Sequence, residues 1–198
     1  GLAKQVEPAL LAYPGFVDWM IDTGWQAFVP ITWGINGIEP VEFQWSPDMP
    51  ACHVERARGI NPKLLAPTHQ EFLRLKSYFL LPSTSPIVAP MVVAAKATAP
   101  FIRLAGDFRW QNQFILAQHA HIPIVLEVLP LLMGFQHYMD LDMANSFHQI
   151  PLGERTSNLL SMITPWGCVR PQFLPEGVAP ATSILQSLVT DIFKDLPW

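Results

Sequence analysis

Hydrophobic periodicity along this 198-residue chain predicts an α+β protein. Segments with apolar residues at helical spacing alternate with short runs rich in Val, Ile and Phe that read as strands. The strand-like runs come in pairs around short turn sequences, as antiparallel hairpins do. Twenty prolines, about twice the usual share of roughly 5%, limit the length of any uninterrupted helix or central strand. Half of the residues are apolar, enough to bury a sizeable core.

Residues 1–66 read as an irregular leader or linker rich in proline and aromatics, and 67–198 as the globular part. Trp19, Trp25, Trp33 and Trp45, four of the seven tryptophans, lie in the leader. They are expected to pack against the rest of the chain or a partner. Phe16, Trp19 and Met20 suggest a short helix near 15–22, closed by Gly24. The cleanest helix spans Pro67 to Leu81. There Thr68 is expected to cap, Glu71 stands at capping-box spacing, and Phe72, Leu75 and Phe79 form the apolar stripe. Ile87 to Ala95 and Phe101 to Phe108 read as two strands joined as a hairpin through Lys96-Ala-Thr-Ala-Pro100. A helix over 124–134, a strand over 136–143 and a helical turn over 144–149 follow. Thr156 to Thr164 and Cys168 to Leu174 read as strands around Pro165-Trp-Gly167. The last helix runs from Pro180 to Lys194, with Ile184, Leu185, Leu188 and Ile192 on one side.

Charged residues make up 14% of the chain, and the formal net charge is −4. That argues against a freestanding polyanion binder, which would carry a basic excess. Cys52 and Cys168 lack motif spacing; two inert thiols are expected, although a single bridge stays open. No secretory signal and no long uncharged apolar run is visible, so an intracellular location without a transmembrane segment is favoured. His119-x-His121 has no third ligand at metal-site spacing and reads as paired surface histidines.

Tyr138-Met-Asp-Leu-Asp-Met-Ala-Asn-Ser-Phe-His-Gln-Ile150 is the most informative stretch. On a strand, Asp140 and Asp142 project to one face. Two such carboxylates repel unless water or a cation lies between them. Solvated charge at a strand end is one reading. A divalent-cation site for a phosphate-bearing substrate is the other, since hard oxygen ligands suit magnesium.

The residues around the pair resemble the first catalytic motif of reverse transcriptases, specifically those of gypsy-class LTR retrotransposons. Phe79-Leu-Leu-Pro-Ser-Thr-Ser-Pro86 with Ala89-Pro-Met-Val-Val93 is similar to the family's approach to its fingers. Arg103-Leu-Ala-Gly-Asp-Phe-Arg109 is similar to its Arg-x-x-x-Asp-Tyr/Phe-Arg strand. Thr164-Pro-Trp-Gly167, Leu174-Pro-Glu-Gly177, Pro180-Ala-Thr and Gln186 resemble the turn and helix that follow in the palm. In order, these matches cover about 67–196, and the leader matches much less. The resemblance implies a partial right-hand polymerase fold, with fingers and an incomplete palm.

It also implies roles. Asp142 takes the place of the first metal-binding, catalytic aspartate, and the backbone carbonyl of Leu141 or Met143 would complete the coordination. Lys96 and Arg103 match the pair that clamps the incoming triphosphate, a task that suits a flexible ammonium and a planar guanidinium. Phe147 matches the aromatic gate that excludes a 2′-hydroxyl. Glu176 stands at a sugar-contacting position where the family has Gln or Phe, which bears on nucleotide affinity. Asp107 and Arg109 would position fingers and template, and Gln186 would lie beneath the template grip. Asp140 has no family counterpart.

Two-metal polymerisation needs further carboxylates, which the family draws from a Tyr/Phe-x-Asp-Asp or Asp-Asn hairpin after the last helix. Asp191 and Asp195 do not fit that motif. The expectation is therefore a reverse-transcriptase-like segment inactive alone, with Mg2+, RNA/DNA template-primer and dNTP belonging to a complete polymerase and no cofactor to the isolated chain. An alternative is a retroelement-derived structural subunit of a larger assembly, with protein partners covering the incomplete palm. A nucleotide-sugar transferase using Asp140-x-Asp142 would need a preceding nucleotide-binding α/β domain, and the leader offers no such pattern.

Overall fold

Residues 14–19, 22, 38–97, 101–116, 124–134, 143 and 145–194 are described by the structure, a computed structural model. The chain divides into two units, Gly1–Trp33 and Gly34–Trp198. In the first, α1 (Phe16–Trp19) is a single turn in which Trp19 N–H donates to the Gly15 carbonyl at 2.8 Å, and the Trp19 side chain is exposed. Gly24, expected to close this helix, lies outside the described residues.

The second unit is built on a six-stranded sheet. Its strands are β1 (His53–Val54), β2 (Leu80–Pro82), β3 (Ile87–Ala95), β4 (Ile102–Gly106), β5 (Ser161–Thr164) and β6 (Gly167–Pro171). They run in the order β1-β3-β5-β6-β2, with β4 paired to β3 off this path. Strand β3 changes partners along its length. Its first residues lie between β1 and β5, parallel to both, with Ile87 opposite His53 and Val88 opposite Ser161. Its second half runs antiparallel to β4, from Met91 opposite Gly106 to Ala95 opposite Ile102. An apolar run buried on both faces suits a central parallel strand, and Ile87 to Met91 are all buried. Pro90, which has no N–H to donate, sits where β3 leaves β5 for β4, and its carbonyl accepts from Asp107 N at 3.0 Å.

Helix α2 (Leu65–Lys76) starts earlier and ends earlier than the sequence suggests. A 3-10 turn at Pro62–Leu64 precedes it, and Asn61 Oδ1 caps that turn by accepting from Lys63 N at 3.0 Å. Thr68 is thus inside the helix and fully buried, its hydroxyl without a hydrogen-bond partner, and not a cap. Glu71 instead takes two hydrogen bonds from Arg74, each 2.7 Å. The stripe Phe72, Leu75 and Phe79 is buried as expected. Leu80 to Pro82 leave the helix to pair with β6.

Residues 124–134 form α3 (Val125–Val128) and a 3-10 turn at Leu129–Leu132. Pro130 supplies no N–H there, which prevents the α-ladder from continuing. The turn expected near 144–149 is a 3-10 helix, Ser146–Gln149. Residues 156–159, expected in a strand, belong to α4 (Glu154–Leu159). The reason is distant in sequence. Glu42 accepts from Arg155 N at 3.1 Å, Thr156 N at 2.9 Å and the Thr156 hydroxyl at 2.5 Å, satisfying the donors of the first turn. Helix α5 (Ala181–Phe193) matches expectation in place, with Ile184, Leu185 and Leu188 against the core and Ile192 exposed.

One core cluster joins Phe43, Trp45, Phe72, Leu75, Phe79, Phe108, Ile150, Leu160 and Leu174. Burying each such side chain contributes about 1.5–3 kcal/mol. Phe43 and Trp45 come from the expected leader, and β1 is an edge of the sheet.

Candidate functional site

The hairpin of β3 and β4 places two cations. Arg103 lies opposite Ala94, and directly opposed residues share a face of the sheet. Lys96 is two residues beyond Ala94, so period two returns it to that face. Lys96 N–H still donates to the Phe101 carbonyl at 2.8 Å, which extends the ladder to the turn. The pairing bears out the expected hairpin, whose residues 98–100 lie outside those described.

Both cations line a cleft of about 610 Å³. Helix α2 contributes Glu71 and Arg74 to its wall, the 3-10 turn contributes Asn145 and His148, and the loop after β6 contributes Glu176. Asn145 is left-handed at φ 47, which asparagine tolerates better than most residues, and its carbonyl accepts from His148 N at 2.8 Å. His148 stacks on Phe79, with ring centroids 4.1 Å apart. Burial, aided by the charges of Arg74 and Arg103, pushes its imidazole down to about 4, so it is neutral at pH 7. Hydrogen bonding to Glu71 raises the Arg74 guanidinium above its ordinary value. Arg103 is ion-paired with Glu176. Among the described residues, Lys96 has no ion-pair partner.

The other sequence-predicted residues that are described do not line this cleft. Asp107 sits past the far end of β4, where Arg109 donates to it at 2.7 and 2.6 Å and Arg58 pairs with it. These donors, Arg109 foremost, hold its carboxyl down at about 2. Phe147 is half-buried against the core and does not line the cleft. Gln186, on α5, donates to the Thr190 hydroxyl at 3.3 Å. Met143 is half-buried, whereas Asp140, Leu141, Asp142, His119 and His121 lie outside the described residues, as does most of the expected 136–143 strand. Cys52 and Cys168 are both free thiols.

Sequence reasoning missed the roles of Glu71, Arg74, Asn145 and His148 in this wall. The i, i+3 spacing of Glu71 and Arg74 was the available signal. It also missed Asn112. That side chain donates to the Gly177 carbonyl and accepts from Ala179 N, each at 2.9 Å, pinning the loop that carries Glu176.

No protein-family model matches the chain. In shape it is similar to the protease-reverse transcriptase of prototype foamy virus, with a TM-score of 0.76 at 21% identity, covering 94% of this chain and 26% of that one. A foamy viral protease-reverse transcriptase in complex with double-stranded DNA gives a TM-score of 0.70 at 19% identity, over 85% of this chain and 35% of that one. The structural match thus reaches well beyond the 67–196 covered by the sequence motifs. These likenesses define the class, a reverse-transcriptase fold.

Sequence narrows it. The chain is 28% identical over 127 residues to the retrovirus-related Pol polyprotein from transposon 412 of Drosophila melanogaster, covering 62% of this chain and 10% of the relative. It is 30% identical over 126 residues to that from transposon gypsy of the same organism, covering 61% and 12%. The chain is thus similar to a segment of LTR-retrotransposon Pol polyproteins and spans about a tenth of the length of these relatives. The nucleotide-sugar transferase reading finds no support among them.

Proposed function

We propose that this segment forms the nucleotide- and template-holding part of an RNA-directed DNA polymerase of right-hand type, its fingers and the first part of its palm. The observation that carries the reading is the convergence of Lys96 and Arg103, from one face of one hairpin, on an open cleft. An incoming triphosphate needs this combination: an ammonium on a flexible stem and a guanidinium presenting a planar fork of donors. His148, neutral and stacked, gives the cleft an uncharged aromatic wall suited to a sugar. Phe147 does not line the cleft itself; as the residue before His148 on the same turn, packed against the core, it would act as a barrier to a 2′-hydroxyl only at the margin of the site. Asp107 and Arg109 position the template strand, and Gln186 supports its grip. Foamy viral relatives of this fold were solved with double-stranded DNA and with an RNA/DNA hybrid, and a template-primer of that kind is the partner proposed here.

Magnesium would be held by Asp142 beside the Met143 carbonyl. The described residues contain no group of three or more His, Cys, Asp or Glu side chains able to hold a metal ion, and Asp142 lies outside them. When bound, the metals would steady the attacking and leaving oxygens of the displacement. The residues traced above act before that, by binding and aligning the nucleotide. With one motif carboxylate the 198-residue chain is expected not to extend a primer. Protein partners would cover the exposed apolar side chains of 124–134, Leu126 and Met133 foremost. No helix of the described residues is long and apolar enough to cross a membrane.

Calorimetric titration with deoxythymidine triphosphate and magnesium tests the reading. Lys96→Ala and Arg103→Ala are each expected to weaken binding about tenfold or more, and affinity unchanged in both would overturn it. In a longer chain that supplies a Tyr/Phe-x-Asp-Asp segment, Asp142→Asn is expected to abolish magnesium-dependent extension.

A further inference from the structure

The cleft contains its own competing anion. Among the described lining residues, three cations, Arg74, Lys96 and Arg103, face two carboxylates, Glu71 and Glu176, a balance of +1 because His148 is neutral. A triphosphate carries three or more negative charges and meets an Arg103 already taken by Glu176. We infer that Glu176 is an internal phosphate surrogate, a latch that occupies Arg103 until the phosphates of an incoming nucleotide displace it. This deepens the nucleotide-site reading and rests on it.

The two carboxylates differ in how readily they leave. Glu71 is 7% exposed and holds Arg74 through two hydrogen bonds on one helix. The Glu176 side chain is 35% exposed and Arg103 51%, so the pair lies in water-accessible space, where ion pairs are weak. The backbone beneath Glu176 does not have to move for the latch to open. Gly177 holds φ 87, a left-handed conformation that favours glycine, and Asn112 grips both its carbonyl and Ala179 N. Opening is therefore a side-chain rotation on a fixed turn. Once open, Arg103 and Lys96 present two unneutralised cations on the same hairpin face, and the displaced carboxylate reaches solvent.

The latch makes affinity a competition. Removing the carboxylate should tighten triphosphate binding, although the residue itself lines the site. Titration calorimetry on the 198-residue chain with deoxythymidine triphosphate, and in parallel with inorganic triphosphate, measures this. Glu176→Gln and Glu176→Ala are both expected to bind either probe about five- to tenfold more tightly than the parent, and Arg103→Ala is expected to erase that gain in the double variants. Parent binding that Lys96→Ala weakens, with both Glu176 variants equal to or weaker than the parent, overturns the latch and leaves the nucleotide site standing. A gain with the nucleotide alone also overturns it, because the effect would then lie at sugar or base. No binding of either probe by any chain overturns the nucleotide site and the latch together.

Discussion

Strand β4 has an ion pair at each end, and the surroundings make them different devices. Just past its last residue, Asp107 has a side chain only 11% exposed, its N–H bonded to the Pro90 carbonyl and its carboxylate held by Arg109 and Arg58. Beside it Gly106 admits no side chain, because a Cβ there would overlap the Phe108 ring. Near its other end, Arg103 meets Glu176 over open cleft, both half-exposed. The same charge chemistry serves as a rivet where the carboxylate is enclosed, its arginines reaching it from the solvent side, and as a latch where both partners are half-exposed.

The contrast can be broken in order of expected size. Phe108→Ala should cost about 3–5 kcal/mol, since it empties a fully buried site at the rivet end; urea unfolding showing less than about 1 kcal/mol would mean that this end is not anchored by packing. Acid should act next. His148 is neutral in the folded chain with its value lowered to about 4, so its contribution is present above about 6.5 and lost as pH falls from there toward 4. The loss approaches about 3 kcal/mol, and His148→Phe, which keeps a ring on Phe79, should flatten stability across that window. Asp107→Ala should cost about 1 kcal/mol, because its arginine partners are exposed and screened by water. Because its folded value is depressed to about 2, Asp107 contributes above roughly pH 4 and loses that contribution only between about 4 and 2. A single acid transition confined below pH 4 would remove His148 from this account. Smallest is Glu176→Gln, expected to change stability by less than about 0.5 kcal/mol in the same urea titration. A cost comparable to that of Asp107→Ala would erase the distinction between rivet and latch.

How much of this was legible follows the range of each cause. The β3–β4 hairpin, helix α5 and the stripe Phe72, Leu75, Phe79 were readable because period and turn residues are local signals. Ordered motifs also placed Lys96, Arg103 and Glu176, three members of the cleft, although nothing in the motifs showed that Arg103 and Glu176 pair. Helix α4 was misread as a strand because its cap is a carboxylate at position 42, more than a hundred residues upstream. Thr68 was misread as a cap because Asn61 and the Pro62–Leu64 turn start the helix earlier. The acid pair Asp140 and Asp142, the most conspicuous signal in the sequence, lies outside the described residues, whereas the cations of the cleft are set by strand register.

The edge strand β1 has a practical consequence for anyone dividing this polypeptide. His53 N–H donates to the Pro86 carbonyl at 2.9 Å and Glu55 N–H to Val88 at 3.2 Å, so this short strand covers one flank of β3. A recombinant piece begun at residue 67, where motif similarity starts, would bare that flank and discard Phe43, Trp45 and the Glu42 carboxylate as well. Exposed strand flanks template intermolecular pairing. Such a piece should precipitate or form oligomers, whereas one begun at about residue 34 should stay dispersed.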